Sequence, residues 1–168
     1  MNIILIGFMG SGKSVVGHLL AQALKMDYLD TDELVARTEK RTISQIFQKE
    51  GEAYFRKIEN EVLKTLQNYD NFVLSTGGGM VLLEENVALL KSMGSLVLLW
   101  AEPAAIYERL KAKRDRPLLQ VPDPQAEMVK ILDQRSPVYN KAADHKIDTT
   151  KISPQQAVEE IIKWLRSK

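Results

Sequence analysis

Residues 7–14 constrain the fold of this chain more than any other segment. They read Gly-Phe-Met-Gly-Ser-Gly-Lys-Ser, which fits the pattern G-x-x-x-x-G-K-[ST]. An apolar run precedes them, and an amphipathic pattern with helical spacing begins at Lys13. A strand, a glycine-rich loop and a helix in that order are the context in which this pattern binds phosphate. The segment therefore predicts an α/β fold with a nucleotide site at the start of the first helix.

The residue types of this loop suit a nucleoside triphosphate. Glycines let successive backbone N–H groups converge on phosphate oxygens, next to the positive end of the following helix. Lys13 is predicted to reach the β- and γ-phosphates, and the Ser14 hydroxyl to bind Mg²⁺. An ordinary glycine-rich turn is the alternative. The loop residues expected to bind ATP are Gly10, Ser11, Gly12, Lys13, Ser14 and Val15.

Short apolar runs alternate with longer amphipathic segments along the chain, which is typical of βαβ units around a mostly parallel sheet. Strands are predicted at residues 2–6, 27–29, 72–75, 95–100 and 145–147. Helices are predicted at residues 13–25, 31–38, 43–49, 52–67, 84–92, 103–113, 124–139 and 154–167. We expect a single domain spanning residues 1–168.

Two segments interrupt this alternation. Residues from about 31 to 60 carry several short helical patterns, more than a plain crossover needs, and residues 111–124 form a basic segment bounded by prolines. Long segments of this kind in a compact domain are often binding insertions or lids. A solvated basic loop is the alternative for the second.

Composition excludes several classes of function. The 23 basic and 22 acidic side chains give a net charge of +1, so no overall field favours nucleic acid or membrane partners. The absence of cysteine excludes disulfides, thiolate metal sites and cysteine catalysis, and it suits a cytoplasmic protein. The apolar run at residues 96–101 is far shorter than the roughly 20 residues of a membrane-spanning helix.

The remaining motifs favour a small-molecule kinase over a switch or a motor. A GTPase would need an N-K-x-D segment, and the nearest text, residues 140–144, is one residue too long. A motor ATPase would place an acidic residue after a strand such as 72–75, where this chain instead has Thr76 and three glycines.

Two aspartates follow the second predicted strand. If the chain stays extended there, Asp30 and Asp32 point the same way, because side chains alternate with a period of two. One carboxylate could hold Mg²⁺ through water, and the other could accept the proton of a substrate hydroxyl. The alternative is that one aspartate caps the helix predicted to begin at Thr31.

Gly77, Gly78 and Gly79 follow the third predicted strand. They offer closely approachable N–H groups at the carboxyl edge of the sheet, where open α/β sheets bind ligands. A flexible turn with left-handed backbone is the alternative.

Three arginines stand in contexts that suit anion binding. Arg56 has Glu59 three residues later, so an ion pair on one helix face could hold its guanidinium. Arg135 lies near a predicted helix end, and Arg116 lies in the basic segment. Guanidinium groups bind carboxylates and phosphates through paired hydrogen bonds. Taken singly, a surface arginine is the more common interpretation of each.

These motifs occur together in an order that closely resembles the shikimate kinases. They span nearly the whole chain and are GFMGSGKS at 7–14, DTD at 30–32, FRxxE at 55–59, STGGG at 75–79, RPLL at 116–119 and RSPVY at 135–139. The resemblance implies a three-layer fold like that of the nucleoside monophosphate kinases, with a central five-stranded parallel sheet, a substrate-binding helical insertion and a lid. It implies phosphorylation of shikimate at its 3-hydroxyl by ATP, with Mg²⁺, in the pathway to chorismate.

The resemblance also assigns roles to single residues. Asp32 would hold the shikimate hydroxyls as candidate base, with Asp30 behind the water shell of Mg²⁺. The predicted catalytic residues are Lys13, Asp32 and Arg116. The predicted substrate-binding residues, with the two arginines on the shikimate carboxylate, are Asp32, Arg56, Gly77, Gly78, Gly79 and Arg135. Arg116 on the lid would close onto ATP, whereas Arg109 and Pro154 would enclose the adenine.

Two rival functions stay open from the sequence. A related small-metabolite kinase, such as one acting on gluconate, would share the loop and the lid. A non-catalytic ATP-binding module would share the fold. We expect a monomer with ATP and shikimate as its partners.

Overall fold

The computed structural model describes residues 1–111 and 120–168. Within these residues, five parallel strands form one sheet in the order β2-β3-β1-β4-β5. The strands are β1 (Ile3–Ile6), β2 (Asp27–Asp30), β3 (Phe72–Ser75), β4 (Ser95–Trp100) and β5 (His145–Asp148). The predicted α/β class and five-stranded parallel sheet are confirmed.

The predicted helices are present, with ends that differ by a few residues at most. They are α1 (Lys13–Leu24), α2 (Thr31–Glu39), α3 (Ile43–Glu50), α4 (Glu52–Leu66), α5 (Glu84–Met93), α6 (Pro103–Leu110), α7 (Pro124–Ala142) and α8 (Pro154–Arg166). A short 3₁₀ helix at Met80–Leu82 was not predicted. Most of the predicted lid at 111–124, and the predicted end of α6 at 113, lie outside the described residues.

Helices cover both faces of the sheet, which explains why its three central strands, β3, β1 and β4, are largely apolar. Ile4 and Ile6 of β1 belong to a core shared with α4, α5, α6 and α7. Ile3 and Leu5 point the other way, into a core shared with α1 and α8. The result is the predicted arrangement of three layers.

A third apolar cluster joins α2, α3 and α4, away from the sheet. It includes Val35, Ile46 and Phe55, each almost fully buried. These helices therefore pack on one another as a unit, between β2 and β3 in the chain. Among the described residues, no helix combines the length and apolarity needed to cross a lipid bilayer.

Candidate active site

The loop between β1 and α1 folds around its own lysine. Gly12, at φ 102°, is the N-cap of α1, in a backbone conformation that glycine adopts without strain. The buried Lys13 Nζ donates hydrogen bonds to the carbonyl oxygens of Gly7 and Phe8, at 2.8 and 2.9 Å. The lysine is thus held beside the loop at which the phosphates are predicted to bind.

The helix predicted to begin at Thr31 is present, so the chain does not stay extended from Asp30 to Asp32. Asp30 ends β2, and its Oδ1 accepts hydrogen bonds from the backbone N–H groups of Asp32 and Glu33, at 2.9 and 3.4 Å. These bonds make Asp30 the N-cap of α2, and they stabilise a helix that begins at once at Thr31. The alternative, a helix cap, is what the structure contains. Asp30 and Asp32 nevertheless line the same cleft.

Charged side chains lie against the backbone of the glycines after β3, which leaves little room for a larger residue at Gly77 and Gly79. None of the three has a positive φ, so the alternative of a left-handed turn is wrong. A Cβ on Gly77 would lie 2.9 Å from Asp32 Oδ1 and 3.0 Å from Glu59 Oε1. A Cβ on Gly79 would lie 2.2 Å from Arg56 Nη2. The segment therefore lets carboxylates and a guanidinium approach the backbone at the carboxyl edge of the sheet.

Arg56 is held by acidic neighbours on its own helix. Its Nη1 lies 2.6 Å from Glu59 Oε2, and its Nη2 lies 3.3 Å from the exposed Glu52. Glu59 is fully buried, and its other oxygen, Oε1, has no hydrogen-bond partner among the described residues. Burial raises the pKa of Glu59 to about 7, although the ion pair with Arg56 opposes this rise. Glu59, predicted as the ion-pair partner of Arg56, thus also faces the cleft.

Arg135 reaches the same cleft from α7. Its guanidinium carbon lies 5.9 Å from the centre of the Phe8 ring. One turn later on α7, the buried Tyr139 hydroxyl donates a hydrogen bond to the Gly78 carbonyl oxygen at 2.6 Å. This bond ties the arginine-bearing helix to the glycine segment.

These residues surround one cleft of about 320 Å³. Asp32, Arg56 and Arg135 come from α2, α4 and α7, so segments that are far apart in the sequence form the cleft together. Two guanidinium groups and a carboxylate suit an acid that also carries hydroxyl groups. The residues that line this cleft include Gly10, Gly12, Lys13, Ser14, Val15, Asp30, Asp32, Arg56, Glu59, Gly77, Gly78, Gly79 and Arg135.

A second pocket of about 350 Å³ lies on the other side of the same loop. Arg109 crosses it and donates hydrogen bonds to Gly10 O at 3.1 Å and to Thr149 Oγ1 at 3.2 Å. The Thr149 hydroxyl in turn donates to Ser11 O at 2.9 Å. The apolar part of its lining suits a flat purine base and consists of Val15, Val16, Leu110, Ile152, Pro154 and Ala157.

Sequence reasoning did not identify all of these residues. Thr149 directly follows β5, at the carboxyl edge of the sheet, and this position is the one feature of the sequence that points to a role in the site. Thr31, whose Oγ1 accepts the Gly77 N–H at 2.9 Å, had no signal at all. Tyr139 was quoted only as part of a motif. Arg116 lies outside the described residues, so its role stays a prediction.

Ser14 and Asp30 both face the first cleft and supply oxygen atoms, the ligands that Mg²⁺ prefers. Among residues 1–111 and 120–168, no group of three or more His, Asp or Glu side chains could hold a metal by itself. Mg²⁺ typically keeps several waters and binds through one or two protein groups and substrate phosphates. The donor set therefore fits a Mg²⁺ ion that accompanies a nucleotide.

Known proteins share both the sequence and the fold. The family model described as shikimate kinase matches residues 9–166. A shikimate kinase of Pelotomaculum thermopropionicum is 46% identical over 165 residues, which cover 98% of this chain and 95% of that protein. One of Thermodesulfovibrio yellowstonii is 45% identical, covering 96% of this chain and 93% of its own.

Solved structures agree with these sequence matches. Shikimate kinase from Acinetobacter baumannii in complex with shikimate superposes with a TM-score of 0.93 at 36% identity, covering 99% of this chain and 93% of that one. Shikimate kinase from Aquifex aeolicus gives a TM-score of 0.86 at 43% identity, covering 99% and 96%. The chain therefore belongs to the shikimate kinase family and is an ATP-dependent kinase of the shikimate pathway.

Proposed function

We propose that this chain transfers the γ-phosphate of Mg²⁺-bound ATP to the 3-hydroxyl of shikimate within the cleft formed by α2, α4 and α7. One observation carries the proposal: Asp32, Arg56 and Arg135 line a single cleft that also contains the lysine of the phosphate loop. A relative with the same fold has been solved with shikimate bound, which supports this choice of acceptor.

The two arginines bind the carboxylate of shikimate. Guanidinium groups form paired, charge-assisted hydrogen bonds with carboxylates. Arg56 is oriented for this by Glu59, and Arg135 by its position one turn before Tyr139, whose hydroxyl is anchored to Gly78. The N–H of Gly78 is a further candidate donor to the same carboxylate, and Gly77 and Gly79 keep this wall of the cleft free of side chains.

Asp32 directs the acceptor hydroxyl. Its carboxylate accepts the hydrogen of that hydroxyl and aligns the oxygen with the γ-phosphorus. In a loose transition state for phosphoryl transfer, this contribution is mainly positioning, and removal of the proton follows as the new P–O bond forms.

The nucleotide occupies the loop and the second pocket. Gly10, Ser11, Gly12 and Val15 surround the phosphates, and the Lys13 ammonium moves from its two carbonyl acceptors towards the β- and γ-phosphate oxygens. Mg²⁺, when bound with the nucleotide, supplies positive charge that stabilises these oxygens. Ser14 is its proposed ligand.

The remaining groups contact the water molecules around Mg²⁺ and the adenine ring. Asp30 contacts that water shell through its carboxylate. Arg109 and Pro154, which both line the second pocket, enclose the adenine.

The domain arrangement is part of the same proposal. Helices α2 and α3 with the start of α4, about residues 31–60, act as the shikimate-binding insertion, and their separate apolar cluster supports this division. A lid at about 111–124 carries Arg116 and closes over ATP, excluding water that would otherwise accept the phosphoryl group. A monomeric state and a cytoplasmic location stay predictions.

A coupled assay of ADP release tests the proposal against its rivals. The purified chain is given Mg²⁺-ATP with shikimate, quinate or gluconate in parallel. We expect turnover with shikimate well above that with the other two acceptors. Preferred turnover of gluconate would support a different small-metabolite kinase. ADP release that is equal with and without acceptor, or absent throughout, would contradict the proposal.

A further inference from the structure

Tyr28 lies beside the proposed metal site, and the mechanism above does not use it. Side chains alternate along a strand, so residues 28 and 30 of β2 lie on the same face. The Tyr28 hydroxyl donates a hydrogen bond to Asp30 Oδ2 at 3.3 Å. Burial raises the pKa of this phenol, and the neighbouring hydroxyl groups of Ser75 and Ser14 oppose the rise. The phenol therefore links α1, β2 and β3 at the carboxyl edge of the sheet.

The two oxygens of Asp30 have different partners. Oδ1 accepts the N-cap hydrogen bonds of α2, whereas Oδ2 accepts the bond from Tyr28. A carboxylate held through both oxygens has a defined plane. Each carboxylate oxygen has two lone pairs, so Oδ2 can still accept a hydrogen bond from a metal-bound water. The Tyr28 hydroxyl thus determines the direction in which Asp30 presents its remaining lone pair.

Helix α1 is built to accommodate this phenol ring. Gly17 lies inside α1, where glycine is less favourable than alanine. A Cβ at this position would lie 2.6 Å from Tyr28 Cε2, so only glycine leaves room for the ring. The next residue, His18, packs against the same ring, with 3.7 Å between ring centres and 32° between the ring planes. The helix that carries Ser14 is therefore packed directly on Tyr28.

We propose that Tyr28 is a positioning residue that orients Asp30 and Ser14 for the nucleotide-bound Mg²⁺ and its water shell. This inference rests on the proposed role of those two residues at the metal. Groups that orient metal ligands contribute strongly, since their loss typically weakens metal binding by about 10–100-fold. The phenol needs no contact with the metal to have this effect.

Metal binding to a stable nucleotide complex tests the role without relying on activity. Mn²⁺ replaces Mg²⁺ as a paramagnetic probe, and its binding to the full chain saturated with ADP is measured by electron paramagnetic resonance. Tyr28→Phe keeps the ring against Gly17 and His18 and removes only the hydroxyl. Tyr54→Phe is the matched control, since the Tyr54 hydroxyl also bonds a carboxylate, that of Glu39 at 3.1 Å, outside the cleft.

We expect Tyr28→Phe to weaken Mn²⁺ binding about tenfold. We expect Tyr54→Phe to leave it unchanged, and both variants to bind ADP like the parent chain in the presence of EDTA. Parent-like Mn²⁺ affinity in Tyr28→Phe would overturn the inference, as would equal weakening in both variants or loss of metal-free ADP binding. Failure of the parent chain itself to bind Mn²⁺ with ADP would instead contradict the proposed metal site.

Discussion

The Arg56 guanidinium lies against Gly79 so closely that a Cβ on Gly79 would come within 2.2 Å of Arg56 Nη2. The arginine is held in this position by its ion pair with the buried Glu59, which follows three residues later on the same helix. The proposed substrate-binding insertion, which carries Arg56, and the glycine segment after β3 therefore fit against each other at this contact. Its consequences for substrate binding can be measured.

Gly79→Ala should impair the use of shikimate through Arg56. The added methyl group displaces the guanidinium, and a displacement of about 1 Å can reduce kcat/KM about 10²-fold. The loss should appear in steady-state kinetics with shikimate varied, while the KM for ATP stays unchanged. In an Arg56→Ala background the same glycine substitution should have little further effect. Additive losses in the double variant would show that Gly79 acts independently of Arg56.

Arg135→Ala should mainly raise the KM for shikimate. Removing one partner of a desolvated charge pair costs about 2–5 kcal/mol, which corresponds to a rise of roughly 30-fold or more. The turnover number at saturating shikimate should fall far less, because this contact is remote from the transferred phosphoryl group. A large fall in kcat at unchanged KM would contradict the assignment.

Asp32→Asn should have the opposite kinetic signature. The amide keeps the size of the side chain and can still hydrogen-bond to shikimate, so binding should change little. Loss of the proton acceptor should lower kcat by about 10²-fold or more. Isothermal titration of shikimate onto the variant, alongside the kinetics, separates the two effects. Loss of shikimate affinity at unchanged turnover would mean that Asp32 serves binding alone.

Glu59 should make the stability of the protein depend on pH. Its pKa is raised by burial to about 7, so the native state holds this proton more tightly than the unfolded chain. The contribution of Glu59 to the free energy of unfolding is therefore complete below its ordinary pKa and is lost as the pH rises through 7. The size of this loss is up to about 3 kcal/mol.

Urea denaturation of the parent chain and Glu59→Gln at about pH 5 and about pH 8 measures this effect. Relative to the parent chain, the free energy of unfolding of Glu59→Gln should be higher at about pH 8 than at about pH 5. Glu52→Gln is the control, since Glu52 pairs with the same arginine from an exposed position. A pH-independent difference for Glu59→Gln would show that Glu59 does not titrate in this range.

Much of the fold follows from local patterns. Strands buried on both faces are nearly continuous apolar runs, as in residues 96–100, and amphipathic helices have a distinct spacing. The phosphate loop was identified with its flanking elements because one short segment contains the whole pattern. The helix start at Thr31 is where the sequence predicts it, and the N-cap bonds of Asp30 exclude the alternative of an extended chain through Asp32.

Contacts between distant segments could not be derived from the same patterns. Thr149 bonds Ser11 across 138 residues, and Tyr139 bonds Gly78 across 61. Both bonds depend on which strand ends become neighbours, and that follows from the strand order. The glycines after β3 lie at the carboxyl edge of the sheet, as predicted. The need for glycine there comes from charged side chains packed against the backbone, and those contacts are visible only in the folded structure.

The most direct test of the central claim is a crystal structure of the chain with ADP, Mg²⁺ and shikimate. This account predicts the shikimate carboxylate between Arg56 and Arg135, its 3-hydroxyl at Asp32, and the adenine between Arg109 and Pro154. A ternary complex with shikimate outside this cleft, or with its carboxylate turned away from both arginines, would contradict it.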